Sequence, residues 1–263
     1  MAVLHINFMS AALGRQVNFT AVIPSVDFDH LNIEEVYNPK RKLKVLWLLH
    51  GFSGDENDYL TFTNAARYAQ DHQLALILPP AENSGYTDIP KGAKYFSFIG
   101  EELVAFCRYL FPLSDRREDN FIGGLSMGAM GAMKLALAYP HQYSKVVLMS
   151  GCAFDLADGG MGNVDWFGDA PQVFGGSIPG GRELIGTRED AYAMLKENAE
   201  KHCELPCFYM RVGSKDFLLD KCRYAKAQLE TYGYELDYAE IEGYGHEWRF
   251  WDLVLNEVIS TWL

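Results

Sequence analysis

The chain has 263 residues, more than an average domain of about 150 but within the range that one α/β or barrel domain reaches. Hydrophobic residues make up 49% and charged residues 22%, an ordinary globular mix that excludes a disordered or collagen-like chain. With 23 Lys and Arg against 35 Asp and Glu, the formal net charge of −12 argues against nucleic acid, anionic membrane or polyphosphate as primary partners and favours a neutral small molecule.

In chain order, His5–Phe8 and Val17–Ile23 around Gly14-Arg15 predict an antiparallel pair at a sheet edge. Lys44–His50 (KVLWLLH) is a continuous apolar run, the pattern of a strand buried on both faces, and a Gly-rich turn follows it. Asp58–His72 reads as one helix and Leu74–Pro79 as the next strand. Gly100–Phe111 reads as a helix, Asn120–Leu125 as a strand, Ala129–Tyr139 as a helix stopped by Pro140, and Lys145–Ser150 as a strand. Pro206–Val212, Leu218–Tyr232, Glu235–Ile241 and Trp248–Trp262 continue as strand, helix, strand, helix. This order predicts an α/β protein with a mostly parallel, doubly wound sheet and helices on both faces. No repeat or linker divides the chain, so residues 1–263 are expected to form one domain. Residues 152–200 hold one clear helical pattern, near Glu189–Lys201, and are expected to form a cap or lid within it.

Five cysteines (Cys107, Cys152, Cys203, Cys207 and Cys222) are an odd number in a long chain, which predicts reduced thiols rather than a disulfide framework. Cys203 and Cys207 lack the companions of a zinc site, so no metal is expected. The start of the chain shows no secretory pattern, and no apolar run reaches the ~18 residues of a membrane span, which points to a cytoplasmic protein. The sequence leaves self-association into a homo-oligomer open.

Ligands of doubly wound sheets bind beyond the carboxyl ends of the strands. Gly124-Leu125-Ser126-Met127-Gly128 lies there, at a strand-to-helix junction. A sharp turn with glycine on both sides would push the Ser126 hydroxyl out of the sheet as a nucleophile; the plainer alternative is a Gly-rich turn with an N-capping serine. A serine hydroxyl needs a base, and the base needs an orienting acid. His246 is the candidate base, because Gly243–Trp248 follows the last strand, whereas His141 and His202 sit at helix ends. Asp216, directly after the strand ending at Val212, is the candidate acid. Its competitor Asp220 lies in a helical pattern and is expected to face solvent, and Asp155, Asp158, Asp165 and Asp169 read as loop residues of the cap. His50-Gly51-Phe52-Ser53-Gly54 follows the third strand, so the Phe52 and Met127 amides are candidate oxyanion donors and Ser53 a candidate substrate contact. Trp166, Phe167 and Trp248 are candidates for stacking on sugar or phenyl rings, or else for packing in the cap core.

The combination LLHGFSGDENDY, GGLSMGAMGA, VGSKDF and GHEWRFW resembles the esterase D and tributyrin esterase family of α/β-hydrolases. That family includes S-formylglutathione hydrolases, short-chain acyl esterases, and acetyl xylan and feruloyl esterases. The resemblance covers nearly the whole chain and implies an α/β-hydrolase fold with Ser126 as nucleophile, Asp216 as acid, His246 as base, and the Phe52 and Met127 amides as oxyanion hole. It implies a cofactor-independent serine carboxylesterase acting on short acyl esters or on acetyl or feruloyl esters of sugars. Phe52 departs from the smaller residue usual in the S-formylglutathione hydrolases, which lowers the thioesterase alternative. That alternative would need basic residues for glutathione carboxylates, with Arg182, Arg188 and Lys215 the obvious candidates. A binding module that keeps the fold without the chemistry is the alternative from a different class.

Overall fold

The computed structural model describes residues 1–88, 92–156 and 184–263. Eight strands form one sheet: β1 (Ala2–Ser10), β2 (Arg15–Ile23), β3 (Val45–Leu49), β4 (Ala75–Leu78), β5 (Asn120–Leu125), β6 (Lys145–Met149), β7 (Cys207–Gly213) and β8 (Leu236–Ile241), in the order β1-β2-β4-β3-β5-β6-β7-β8. β1 and β2 are an antiparallel pair at one edge and β2 meets β4 antiparallel, while every pair from β4 to β8 is parallel. The doubly wound, mostly parallel arrangement expected from the sequence is therefore present.

Parallel strands covered on both faces need apolar residues at every position. In β3 Val45, Trp47 and Leu49 enter one core and Leu46 and Leu48 the other, and β6 divides Val146 and Leu148 from Val147 and Met149 in the same way. The first core is closed by α5 (Leu103–Leu110), α6 (Met127–Ala138), α7 (Ala191–Glu200) and α8 (Leu219–Thr231). The second is closed by α2 (Asp58–Phe62), α3 (Ala65–Asp71) and α9 (Trp248–Thr261). A short α1 (Ile33–Val36), capped by the Asn32 side chain, was not foreseen.

Two helices differ from expectation. Residues 58–72 form two helices because Thr63 is extended (φ −136°, ψ 175°), its hydroxyl accepts the Ala65 amide at 3.1 Å, and Asp252 of α9 accepts the Asn64 amide at 2.8 Å. Tertiary and side-chain bonds override a helical pattern there. The helix expected from Gly100 starts earlier, as α4 (Tyr95–Ser97) leads through a π-helical stretch (Phe98–Glu102) into α5. Gly100 lies inside it because a Cβ there would sit 2.5 Å from the Tyr139 ring.

Of the expected cap, 152–156 and 184–200 are described. Asp190 caps α7 by accepting the Ala193 amide at 3.1 Å. Trp166, Phe167, Asp158, Asp165, Asp169 and Arg182 lie outside the described residues. Among the described residues, no helix is long and apolar enough to cross a membrane.

Candidate active site

Ser126 joins β5 to α6 with φ 54° and ψ −118°, a conformation that costs a non-glycine residue about 1–3 kcal/mol and persists only where the surroundings enforce it. Its amide donates to Met149 O at 2.9 Å, and its carbonyl accepts the Met130 amide at 3.2 Å, opening α6. The flanking glycines answer to packing. A Cβ on Gly128 would lie 2.0 Å from Leu49 O, and one on Gly124 would lie 2.5 Å from the Gly128 carbonyl carbon. Met127, the first residue of α6, contributes one of the amides that a helix start leaves without an intrahelical acceptor.

The turn after β3 packs against this junction: a Cβ on Gly51 would lie 2.5 Å from Leu125 Cδ1 and 3.7 Å from Ser126 Cβ. Phe52 is thereby the next residue along from the Ser126 contact. Buried His50 holds the turn, its Nδ1 bonded to Gly51 O at 2.7 Å and its Nε2 accepting the Ala81 amide at 2.9 Å. An amide can only donate, so Nε2 carries no proton and Nδ1–H donates to Gly51. Burial lowers the His50 pKa, which keeps this neutral tautomer. Tyr86 Oη donates to His50 O and Tyr59 Oη to Leu49 O, each at 2.8 Å. The exposed Ser53 has φ 61°, and its amide donates to Asn83 Oδ1 at 2.7 Å.

The loops after β7 and β8 are stitched together. Ser214 N donates to Ile241 O and Lys215 N to Tyr244 O, both at 2.9 Å, and Gly243 N donates to Ser214 Oγ at 3.0 Å. A Cβ on Gly213 would lie 2.3 Å from Tyr244 O. His246 Nδ1 stands 3.1 and 3.0 Å from the two carboxylate oxygens of Asp216, whose side chain is 0% exposed. Burial alone would raise the Asp216 pKa. The bond from His246, the Leu218 amide at 2.9 Å and the nearby Ser150 hydroxyl outweigh it, and the carboxyl is held below its ordinary value. The carboxylate accepts from Nδ1–H of His246, which favours the tautomer that leaves Nε2 unprotonated. The His246 ring lies between Phe217, with centroids 4.5 Å apart, and Trp251, at 5.0 Å.

His246 and Asp216 are thus brought together, while Asp220 is 93% exposed and paired with Arg223. His141 and His202 are exposed. Among the described residues no hydrogen bond joins Ser126 to His246; such bonds often tighten only when substrate is bound. Trp248 opens α9 and packs on Phe62 at 4.9 Å and Trp251 at 5.0 Å, so its ring is engaged between α2 and α9 rather than in the cap. Among the described residues no group of three or more His, Cys, Asp or Glu side chains is placed to hold a metal.

Sequence reasoning missed three supports. His50 works through Ala81, which is 31 residues away. Ser150, just after β6 with φ 50°, places its hydroxyl near the Asp216 carboxylate. Lys134, buried on α6, bonds Thr87 Oγ1 at 2.8 Å and Glu189 Oε2 at 3.0 Å, tying the helix that follows Ser126 to the chain that leads into α7. A lysine in an Ala-rich helix was the one visible signal, since a buried lysine requires a partner.

The model of the Esterase family, described as "Putative esterase", matches residues 11–260. An acetyl esterase of Caldicellulosiruptor saccharolyticus is 32% identical over 259 residues, covering 96% of this chain and 94% of that protein. Among solved structures, the fluorophosphonate-binding serine hydrolase FphF of Staphylococcus aureus superposes with a TM-score of 0.85 at 28% identity, covering 98% of this chain and 97% of the other. The S-formylglutathione hydrolase FrmB of Staphylococcus aureus does so with a TM-score of 0.81 at 28% identity and the same coverage.

Proposed function

Because this chain belongs to the Esterase family and is a carboxylic ester hydrolase of the α/β-hydrolase fold, we propose that it acts as a serine esterase through Ser126, His246 and Asp216. The observation that carries this is the His246–Asp216 contact at 3.0 Å at the same end of the sheet as the strained Ser126 turn. Ser126 Oγ attacks the ester carbonyl while His246 Nε2 accepts its proton, and Asp216 stabilises the imidazolium. The Phe52 and Met127 amides receive the charge that develops on the carbonyl oxygen. His246 then protonates the departing alcohol, and water, activated by the same imidazole, releases the acid from the acyl-enzyme.

The substrate class is a short acyl ester, acetyl above all, of a neutral or sugar alcohol. The acetyl esterase relative supports the acyl group. We read the chain as a single domain whose cap includes the described residues 152–156 and 184–200, the latter tied to α6 by the buried Lys134–Glu189 pair. Five free cysteines support a cytoplasmic setting.

The likeness to FrmB favours S-formylglutathione hydrolysis as a second reading. Against it, Arg188, a candidate for glutathione carboxylates, is engaged by Glu101 at 2.7 Å and Asp88 at 3.2 Å. The serine mechanism is tested by incubation with an organophosphonate and intact-mass measurement. One adduct on the wild type and none on Ser126→Ala is expected; equal labelling of both would remove Ser126 from the mechanism.

A further inference from the structure

In the proposed mechanism His246 Nε2 takes the proton of Ser126 and returns it to the departing oxygen. The alcohol part of the ester therefore lies against the imidazole, while the acyl carbonyl points to the Phe52 and Met127 amides. Three side chains hold that imidazole: Asp216, with an oxygen 3.0 Å from Nδ1, the Trp251 ring, 5.0 Å away and edge-on at 89°, and the Phe217 ring, 4.5 Å away and tilted by 43°. Their exposures separate them. The Asp216 side chain is 0% exposed and Trp251 is 5% exposed, whereas Phe217 is 61% exposed. Of the three, Phe217 has the surface to meet an incoming group.

The backbone fixes where this ring stands without burying it. The Asp216 amide donates to Gly213 O at 3.0 Å, the Leu219 amide to Asp216 O at 3.1 Å and the Leu218 amide to Asp216 Oδ1 at 2.9 Å. Residue 217, between two buried neighbours, is thus presented outward from a bonded turn. Single exposed apolar side chains are ordinary, but Phe217 ends a row of rings. His246, Trp251, Trp248 and Phe62 follow it, with successive centroids 4.5, 5.0, 5.0 and 4.9 Å apart. Phe62, at the far end, is 53% exposed but stands three contacts from the imidazole, so an alcohol still bonded to the carbonyl carbon meets the Phe217 end. A phenyl face offers no hydrogen-bond partner. It complements a second ring, through the π face of an aryl group or the C–H face of a sugar, and an acyclic alcohol covers less of it and loses more freedom in doing so.

We propose that Phe217 is the platform on which the alcohol part of the ester stacks, and that it favours alcohols carrying an aryl or sugar ring over acyclic ones. The inference rests on the serine esterase reading and deepens it. It assigns the stacking role to the residue that follows the acid, whereas Trp248 is engaged between α2 and α9. Phe217 then has two separable effects: its contact with His246 steadies the imidazole for every substrate, and its exposed face acts on ring-bearing alcohols alone.

The test uses the acetyl esters of benzyl alcohol, of a methyl glucoside at its primary hydroxyl and of 2-methoxyethanol, so that the acetyl-enzyme is the same and only the alcohol differs. In the wild type, kcat/KM is expected to be about tenfold higher on at least one ring ester than on the acyclic ester; a preference confined to one of the two identifies the ring as aryl or sugar. Phe217→Ala is expected to lower kcat a few-fold on all three esters and to bring kcat/KM for the favoured ring ester within about twofold of the acyclic one, while Phe217→Trp keeps the preference. The proposal is overturned by a wild type that prefers neither ring ester, by an equal loss of kcat/KM on all three esters in Phe217→Ala, or by cleavage of p-nitrophenyl acetate with neither ring ester turned over. Failure of the wild type on p-nitrophenyl acetate as well would overturn the esterase reading beneath it.

Discussion

The turn at 50–54 and the loops carrying Asp216 and His246 stand at the same end of the sheet, yet different forces hold them. The turn hangs on buried side chains: His50 bridges Gly51 to Ala81, and Tyr59 and Tyr86 reach in from the two sides. The loops carrying Asp216 and His246 are laced by backbone bonds to each other, and one ring against His246 belongs to Phe217, which is 61% exposed. In the proposed mechanism the Phe52 amide meets a developing charge, and such a donor loses its value if it moves, which fits the anchoring of its turn in the core. The imidazole proposed to take and return a proton sits nearer solvent, its side chain 19% exposed.

Removing the group that both regions are proposed to serve gives the largest expected effect. Ser126→Ala should lower kcat on p-nitrophenyl acetate by about 10⁶-fold with an unchanged far-ultraviolet circular dichroism spectrum. Asp216→Asn should lower kcat by about 10⁴-fold by favouring the wrong imidazole tautomer, whereas Asp220→Asn should stay within about twofold. The reverse ranking would move the acid to α8.

His50→Ala strikes the anchored region. It leaves the Ala81 amide and the Gly51 carbonyl unpaired, so stability should fall by about 1–3 kcal/mol in urea denaturation, and kcat by roughly 10²-fold as the turn loosens. A variant with lost activity but unchanged stability would break the contrast drawn above.

Proton linkage sharpens it further. The His50 pKa is lowered from 6.5 in the folded protein, so its stabilising effect is complete above that value. It is lost as pH falls below about 6.5, where the unfolded chain takes up a proton that the folded chain refuses, with a slope of at most about 1.4 kcal/mol per pH unit. Asp216, held below 3.8, adds a second loss that begins only near pH 4 and deepens as pH falls through its folded value. Urea midpoints of the wild type should therefore drop between about pH 7 and pH 5, and those of His50→Ala should drop less. Phe217→Ala should give a small change: a few-fold lower kcat, with a urea midpoint equal to that of the wild type.

The strands were legible because residues buried on both faces leave an unbroken apolar signature; Asn120–Leu125 has the same limits in sequence and structure. The split of residues 58–72 was not, since it depends on Asp252, 188 residues from Asn64. The same distinction holds at the candidate site. Asp216 and His246 each follow a readable strand, and the structure finds them in contact. The tautomer of His50 and the neighbour of Ser150 are set by chain remote in sequence, which no local pattern records. Strain was equally invisible: Ser53, Glu82, Tyr86, Ser126 and Ser150 all have positive φ, and all lie just beyond the carboxyl ends of β3, β4, β5 and β6.

The glycines around Ser126 carry a consequence for how such a pentapeptide is read in any sequence. Gly124 and Gly128 are required because the start of α6 presses against the end of β3, with no room for a methyl group at either position. Neither takes part in bond making. A descendant that exchanged Ser126 for another residue and lost its chemistry would still need both glycines to keep helix and sheet in register. The glycine frame therefore testifies to ancestry and architecture, and the proposed catalysis rests on the one side chain it surrounds.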